Sequence, residues 1–207
     1  MTVSATPVDA LRTPLRQLRI AVLDIETTGF SATNDRICEL AVVLVRNLEL
    51  HGVYQTLINP EVPIPEKTSA VHGLFDHHVK HAATFREIAP ALASVLRASD
   101  LVVCHNASFD LGFIQAGMAR HGHPIITTST LCTLVSAKQQ WPAGPSKLAD
   151  VCARVGVHIP ELTHHRAVDD AELTAQMLIA MAEKRGPACA AAHLGGFSVS
   201  AAAYVKG

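Results

Sequence analysis

The sequence has no excess of charge of either sign, because 17 lysines and arginines are matched by 18 aspartates and glutamates, for a formal net charge of −1. A protein that coats nucleic acid draws its affinity from many basic residues that neutralise phosphates. The balance excludes that class and limits any contact with nucleic acid to a local site. With 49% hydrophobic and only 17% charged residues among 207, the composition also excludes disorder and predicts one globular domain.

Long apolar runs and paired cysteine motifs are absent too. No stretch reaches the roughly 18 apolar residues of a membrane span, and the five cysteines include no Cys-x-x-Cys spacing. An odd number of unpatterned cysteines indicates a reducing compartment. The first 20 residues contain three arginines but no apolar stretch of signal-peptide length. We therefore expect a cytoplasmic protein without membrane contact, and an organelle transit peptide is the alternative.

What the chain does contain is a set of short β-branched runs near its start. Residues 19–26, 37–45 and 53–58 are apolar and end at polar, glycine or proline residues, which is typical of strands. Three neighbouring strands with short connections favour an antiparallel meander.

After residue 60 the pattern changes to alternating helices and strands. Residues 84–96 have helical spacing and begin with a capping-box pattern, and the apolar strand 100–104 leads through a polar turn into another helix. Further elements are expected as a strand at 125–128 and helices at 130–140, 146–155 and 167–184. The order predicts an α/β fold with a mixed sheet, a three-strand antiparallel meander plus parallel strands, flanked by helices.

The bounds of the predicted helices and strands divide the chain into three parts. Residues 1–18 form an N-terminal extension without a clear period, residues 19–185 form the domain, and residues 186–207 form an alanine- and glycine-rich tail. The composition of the tail is typical of a mobile segment.

Two acids lie on one face of the first predicted strand. Asp24 and Glu26 are two positions apart, so their side chains project in the same direction. Like charges about 4 Å apart repel by roughly 4 kcal/mol at an effective dielectric constant of 20, and a bound cation would offset this cost. Carboxylate oxygens suit Mg²⁺ or Mn²⁺. The alternative is that both acids face solvent at a strand end.

Further polar residues lie at the starts of two predicted helices. Asp110 follows the strand 100–104, and His165 and Asp170 lie at the entry to the last long helix. Each acid taken alone is an ordinary first-turn acid favoured by the helix dipole.

The combination of these residues resembles a known family. The segments 24–29 (Asp-Ile-Glu-Thr-Thr-Gly), 105–110 (His-Asn-Ala-Ser-Phe-Asp) and 165–171 (His-Arg-Ala-Val-Asp-Asp-Ala) match in order and spacing the motifs of the DEDDh exonucleases, typified by the proofreading epsilon subunit of bacterial DNA polymerase III. The resemblance covers residues 19–184. It departs from the family at Cys132, where an aspartate is frequent.

The resemblance implies a ribonuclease H-like fold and names the site residues. It implies four metal ligands, Asp24, Glu26, Asp110 and Asp170, and His165 as general base. The other branch of the family uses a tyrosine base, and neither tyrosine of this chain lies near the last motif. The residues implied or suggested as contacts to the terminal nucleotide are Thr27, Thr28, Gly29, His72, Leu74, Asn106 and Phe109.

The implied reaction is hydrolysis of DNA from the 3′ end to nucleoside 5′-monophosphates with two Mg²⁺ or Mn²⁺ ions, on single-stranded or frayed ends. A DNA polymerase subunit is the implied partner. The alternatives are the same chemistry on RNA ends and a non-catalytic nucleic-acid-binding module, although all five catalytic positions are intact. A zinc site on the histidines between 72 and 81 is disfavoured because the spacing does not match a structural zinc motif.

Overall fold

A computed structural model of the chain describes residues 9–124, 126–159, 161 and 164–200. The strands are β1 (Ile20–Thr27), β2 (Ile37–Arg46), β3 (Glu49–Leu57), β4 (Leu101–Cys104), β5 (Thr128–Cys132) and β6 (Phe197–Ser200). The α-helices are α1 (Glu66–His72), α2 (Asp76–Val79), α3 (Phe85–Arg97), α4 (Ala107–Arg120), α5 (Thr133–Gln140), α6 (Leu148–Val155), α7 (Ala167–Arg185) and α8 (Ala191–Leu194).

Across the described ranges, six strands form one sheet in the order β3-β2-β1-β4-β5-β6. Strands β1 to β3 are an antiparallel meander, β1, β4 and β5 run parallel, and β6 pairs antiparallel with β5. The predicted mixed sheet is confirmed. Strand β1 lies between β2 and β4, so it is shielded from water on both edges.

The two faces of β1 pack against different helices. Ile20 and Val22 belong to the core that includes α6 and α7, whereas Ala21, Leu23 and Ile25 belong to the core that includes α3 and α4. Because side chains alternate along a strand, residues 24 and 26 continue the face that α7 covers. The fold therefore directs the two acids of β1 toward the start of α7.

The fifth strand lies later in the chain than the sequence indicates. Residues 128–132 pair in parallel with β4, and α5 begins only at Thr133, so the expected strand 125–128 and helix 130–140 are wrong in their boundaries. Residue 125 lies outside the described residues. The side-chain amide of Gln115 bonds both the backbone N–H and the carbonyl of Ile126, at 3.1 and 2.6 Å. This side chain satisfies the groups that a strand partner would otherwise bond.

Both terminal segments contribute to the core as far as they are described. Ala10, Leu15 and Leu18 are buried with the α7 side of the sheet, and Leu15 donates its backbone N–H to the Cys189 carbonyl at 2.8 Å. The tail forms α8 and the edge strand β6, so its composition does not mark a detached segment. Gly196 has a φ of 73°, and a Cβ there would collide with the Cys132 carbonyl oxygen.

No helix in the described ranges is long and apolar enough to cross a membrane.

Candidate active site

A cluster of carboxylates lies where β1 approaches the first turn of α7. Asp24 and Glu26 extend from β1, and Asp170 extends from α7 three residues after that helix begins. One carboxylate oxygen from each lies within 4.8 Å of the other two. These three acids, far apart in sequence, are therefore close enough to hold one metal ion together.

Asp110 lines the same cleft from the side of β4. Strand β4 ends at Cys104, and Asp110 lies in the first turn of α4, with only 2% of its surface exposed. The backbone makes this sharp turn at Asn106, which has a φ of 101°. Because β4 runs parallel to β1, the carboxyl ends of the two strands deliver their acids to the same edge of the sheet.

The pKa values of Asp24, Glu26 and Asp110 are raised. Burial, and then the charges of Asp110 and Asp170, raise the pKa of Asp24 well above its usual range. Burial, and then Asp170, raise the pKa of Glu26 to about 8. Burial also raises the pKa of Asp110. Without a cation, the cluster favours protonated carboxyl groups, so these oxygen donors fit a divalent ion such as Mg²⁺ or Mn²⁺ both by chemistry and by charge.

The predicted base, His165, lies at the rim of the cleft. Its side chain is 66% exposed, and Nδ1 lies 3.0 Å from Oδ2 of Asp170. The backbone N–H of His165 donates to the Val71 carbonyl at 3.1 Å, which ties the segment before α7 to α1.

A second buried acid lies beside the cluster. Glu39 on β2 is directly opposite Glu26 in the β1–β2 register, and it is fully buried. Its carboxylate accepts hydrogen bonds from Arg166 and from the backbone of Ala167. None of the three motifs points to Glu39; the only signal in the sequence is a single acid within the apolar run 37–45.

The structure separates the expected substrate residues into two groups. Five line the cleft: Thr27, Gly29, His72, Asn106 and Phe109. Thr28 and Leu74 do not line it. The Thr28 hydroxyl accepts the Arg36 backbone N–H at 3.0 Å, and Leu74 packs in a small cluster with Cys38 and Val79. Both side chains are buried against the protein itself, and a contact of either residue with the nucleotide stays a prediction.

Five further residues line the cleft that the sequence does not predict as site residues. Phe30 has 78% of its surface exposed, although aromatic residues make up only 4% of the chain. His105 is held by Thr133 Oγ1 at 2.9 Å and the Ser146 carbonyl at 3.0 Å, and the other three residues are Ile25, Thr68 and Val71. The signal for Phe30 is its position directly after Gly29.

His77 and His78 contact each other, and the histidines between residues 72 and 81, all of which the structure describes, form no group that could hold a metal ion. The rings of His77 and His78 lie 4.0 Å apart, and Phe75 stacks against His77 at 5.8 Å. Among the described residues, the group of three or more side chains that could hold a metal ion is that of Asp24, Glu26 and Asp170.

Comparison with known proteins identifies the family. Residues 21–178 match the model of the RNase T type exonucleases. The chain belongs to this exonuclease family. The expected relationship to DEDDh exonucleases is thereby confirmed, and the carboxylate cluster lies within the matched region.

The relatives include bacterial DNA polymerases. The chain is 33% identical over 163 residues to a PolC-type DNA polymerase III of Caldanaerobacter subterraneus subsp. tengcongensis, and 34% identical over 158 residues to that of Clostridium perfringens. The matches cover 79% and 76% of this chain, but only 11% of each polymerase. The chain thus corresponds to a small part of those proteins.

The fold is shared with a solved exonuclease. The structure of Exonuclease X in complex with 5′-overhanging duplex DNA superposes with a TM-score of 0.66 and 25% identity, covering 85% of this chain and 99% of that one. The predicted ribonuclease H-like fold is confirmed.

Proposed function

We propose that this exonuclease removes nucleotides from the 3′ ends of single-stranded or frayed DNA and releases nucleoside 5′-monophosphates. The observation that carries the proposal is the convergence of Asp24, Glu26 and Asp170, with Asp110 in the same cleft and His165 at its rim. Phosphodiester hydrolysis requires concentrated positive charge next to the phosphate and an acceptor for the proton of water.

The four acids would hold two divalent ions, Mg²⁺ or Mn²⁺. Bound ions of this kind offset the charge on the phosphate oxygens and make water more acidic. The protein's contribution is rigidity, because Asp24 and Glu26 are paired with β2 and Asp110 is almost completely buried.

His165 would accept the proton of the attacking water. Its Nδ1–H donates to Asp170 Oδ2 at 3.0 Å, and this contact selects the tautomer in which Nε2 is free to take a proton. Its exposure allows the proton to pass to solvent after the reaction.

Phe30 favours binding of an unpaired strand end. Phe30 has 78% of its surface exposed at the cleft, and an aromatic ring there can stack on a base in any sequence. A net charge of −1 provides no broad attraction to DNA. We therefore expect weak, salt-sensitive binding at a chain end.

The relatives support DNA as substrate and a DNA polymerase as partner. Both matched polymerases are of the PolC type, and Exonuclease X was solved with DNA. A role beside a cytoplasmic polymerase predicts preferential removal of a mispaired 3′ nucleotide from a primer and template, because a frayed end reaches the cleft more easily.

The decisive experiment uses DNA and RNA oligonucleotides of the same sequence, labelled at either end, with Mn²⁺ or with EDTA. We expect 3′-labelled DNA to release labelled mononucleotide at once, and 5′-labelled DNA to give a ladder that shortens with time. Asp170→Asn serves as the inactive control. Immediate release of labelled mononucleotide from 5′-labelled DNA would contradict the 3′ to 5′ direction. Faster degradation of the RNA than of the DNA would indicate an exoribonuclease instead.

A further inference from the structure

The ion pair between Glu39 and Arg166 connects the sheet to the start of α7. Arg166 Nε lies 3.0 Å from Oε2 and 3.2 Å from Oε1 of Glu39, and Nη2 lies 2.5 Å from Oε1. The carboxylate also accepts the Ala167 backbone N–H at 3.1 Å and the Gln55 side-chain amide at 3.2 Å. Glu39 is fully buried, and both oxygens of its carboxylate accept hydrogen bonds.

These contacts hold the backbone on which two expected functional residues lie. Ala167 is the first residue of α7, and the Asp170 backbone N–H donates to the Arg166 carbonyl at 3.1 Å. His165 directly precedes Arg166 in the chain. A shift of the 166–167 backbone would therefore move both His165 and Asp170, while Asp24 and Glu26 would stay with β1.

The place of the pair in the sheet is informative as well. Glu39 is directly opposite Glu26, so it adds another carboxylate next to a cluster of acids. A buried ion pair contributes little net stability compared with apolar side chains of similar volume, because both charges must be desolvated. Stability alone therefore gives a weak reason for a charge at this position, whereas a directional, two-pronged bond to the start of α7 gives a specific one.

We propose that Glu39 and Arg166 are positioning residues of the active site, whose ion pair sets the first turn of α7 so that Asp170 meets Asp24 and Glu26 around the metal. The proposal rests on the proposed metal-dependent function of this site. Burial alone would raise the pKa of Glu39, but the bonds from Arg166 and Ala167 outweigh it and lower that pKa, so the carboxylate stays ionised as the pair requires. Partners that orient metal ligands change metal affinity or activity by about 10- to 100-fold when they are altered.

The test compares the wild-type chain of 207 residues with Arg166→Lys and Glu39→Asp. Lysine keeps the positive charge but cannot form the two parallel hydrogen bonds of arginine. Aspartate keeps the negative charge, but its shorter side chain moves the carboxylate away from the backbone N–H of Ala167. Mn²⁺ affinity is measured by calorimetry without substrate, and kcat and KM are measured on single-stranded DNA well below each Tm. We expect Mn²⁺ affinity and kcat each to fall by about 10- to 100-fold, with little change in KM.

Arg19→Lys is the matched control, since the chain holds a second pair of the same geometry at the other end of β1. Arg19 Nε and Nη2 lie 3.0 and 2.8 Å from the Asp100 carboxylate, far from the acidic cluster. We expect this control to keep wild-type Mn²⁺ affinity and kcat.

Wild-type Mn²⁺ affinity in folded Arg166→Lys protein would overturn the proposal and leave the pair a purely structural role. If Glu39→Asp fails to fold, Arg166→Lys decides alone. The calorimetric measurement needs no substrate. A wild-type protein that binds Mn²⁺ but degrades no nucleic acid would contradict the proposed function, whereas the Mn²⁺ affinity of Arg166→Lys would still show whether the ion pair positions Asp170.

Discussion

His165 and Asp170 are bonded to each other, with Nδ1 of the histidine 3.0 Å from Oδ2 of the aspartate. We propose that His165 accepts the proton of water and that Asp170 binds a metal ion, so the two proposed roles are coupled at one contact. The distance follows from their spacing, because His165 lies just before α7 and Asp170 lies in its first turn.

Replacement of His165 tests the proton-transfer role. We expect His165→Ala to lower kcat by about 10²- to 10⁴-fold, which is the usual contribution of general base catalysis. Mn²⁺ binding should remain, because the four acids are unchanged. His164→Ala is the matched control, since His164 is also exposed but does not line the carboxylate cleft. Full turnover by His165→Ala at about pH 8 would exclude His165 as the base.

Replacement of Asp170 separates chemistry from folding. We expect Asp170→Asn to abolish turnover and yet to raise the Tm of the metal-free protein slightly, because Asp170 is one of the charges that raise the pKa values of Asp24 and Glu26. The neighbouring Asp169→Asn is the control and should keep activity. Normal cleavage by the Asp170 variant would refute its assignment as a metal ligand.

Divalent metal should stabilise the folded protein. A ligand present at 100 times its Kd adds about 2.7 kcal/mol to the free energy of unfolding, or roughly 5 to 10 °C in Tm for a chain of this size. The comparison is a thermal melt in Mg²⁺ or Mn²⁺ against Na⁺ at matched ionic strength. Equal shifts with both salts would argue against a metal site formed by the fold.

Without metal, stability should decrease as the pH rises. Burial and the charge of Asp170 raise the pKa of Glu26 from 4.5 to about 8, so the folded chain keeps a proton that the unfolded chain has released. The contribution of Glu26 to the free energy of unfolding therefore falls between these two pH values and levels off above about pH 8. Each tenfold difference in proton affinity between the folded and unfolded chains changes the free energy of unfolding by about 1.4 kcal/mol.

The measurement is the Tm in EDTA across this pH range, with Glu26→Gln as the control that should flatten the profile. A wild-type Tm that is constant or rises over the range would show that Glu26 ionises in the folded chain as it does in water.

Phe30 should contribute to binding of single strands. Stacking of a base on an aromatic side chain is worth about 1 to 3 kcal/mol, so Phe30→Ala should raise KM for single-stranded DNA by roughly 5- to 100-fold. Phe30→Trp should retain binding, and the Tm should hardly change because the ring is exposed. Phe75→Ala, with 46% exposure outside the carboxylate cleft, is the control. An unchanged KM in Phe30→Ala would remove Phe30 from the binding site.

The sequence alone predicted the parts of the fold and site that depend on local spacing. Two acids two positions apart on a strand must share a face, and the alternation of β1 confirms it. The meander and the start of the last helix follow from apolar periods and polar punctuation. The order of the three motifs was sufficient to name the family.

Features that depend on contacts between distant segments were not predictable in this way. The sequence pattern places β5 too early because the Gln115 amide, and not a neighbouring strand, bonds the backbone of Ile126. The described part of the glycine-rich tail packs on the sheet because Gly196 allows close approach to Cys132.

The sequence by itself thus determined which residue types could hold a metal and on which elements they lie. Only the tertiary structure decided which side chains meet, placing Phe30 in the cleft and Thr28 and Leu74 outside it. It also joined Glu39 to Arg166 across 127 positions of the chain. The physical reason is that burial and pairing depend on how sheet and helices pack, and a side chain's partners there come from segments that no local pattern connects.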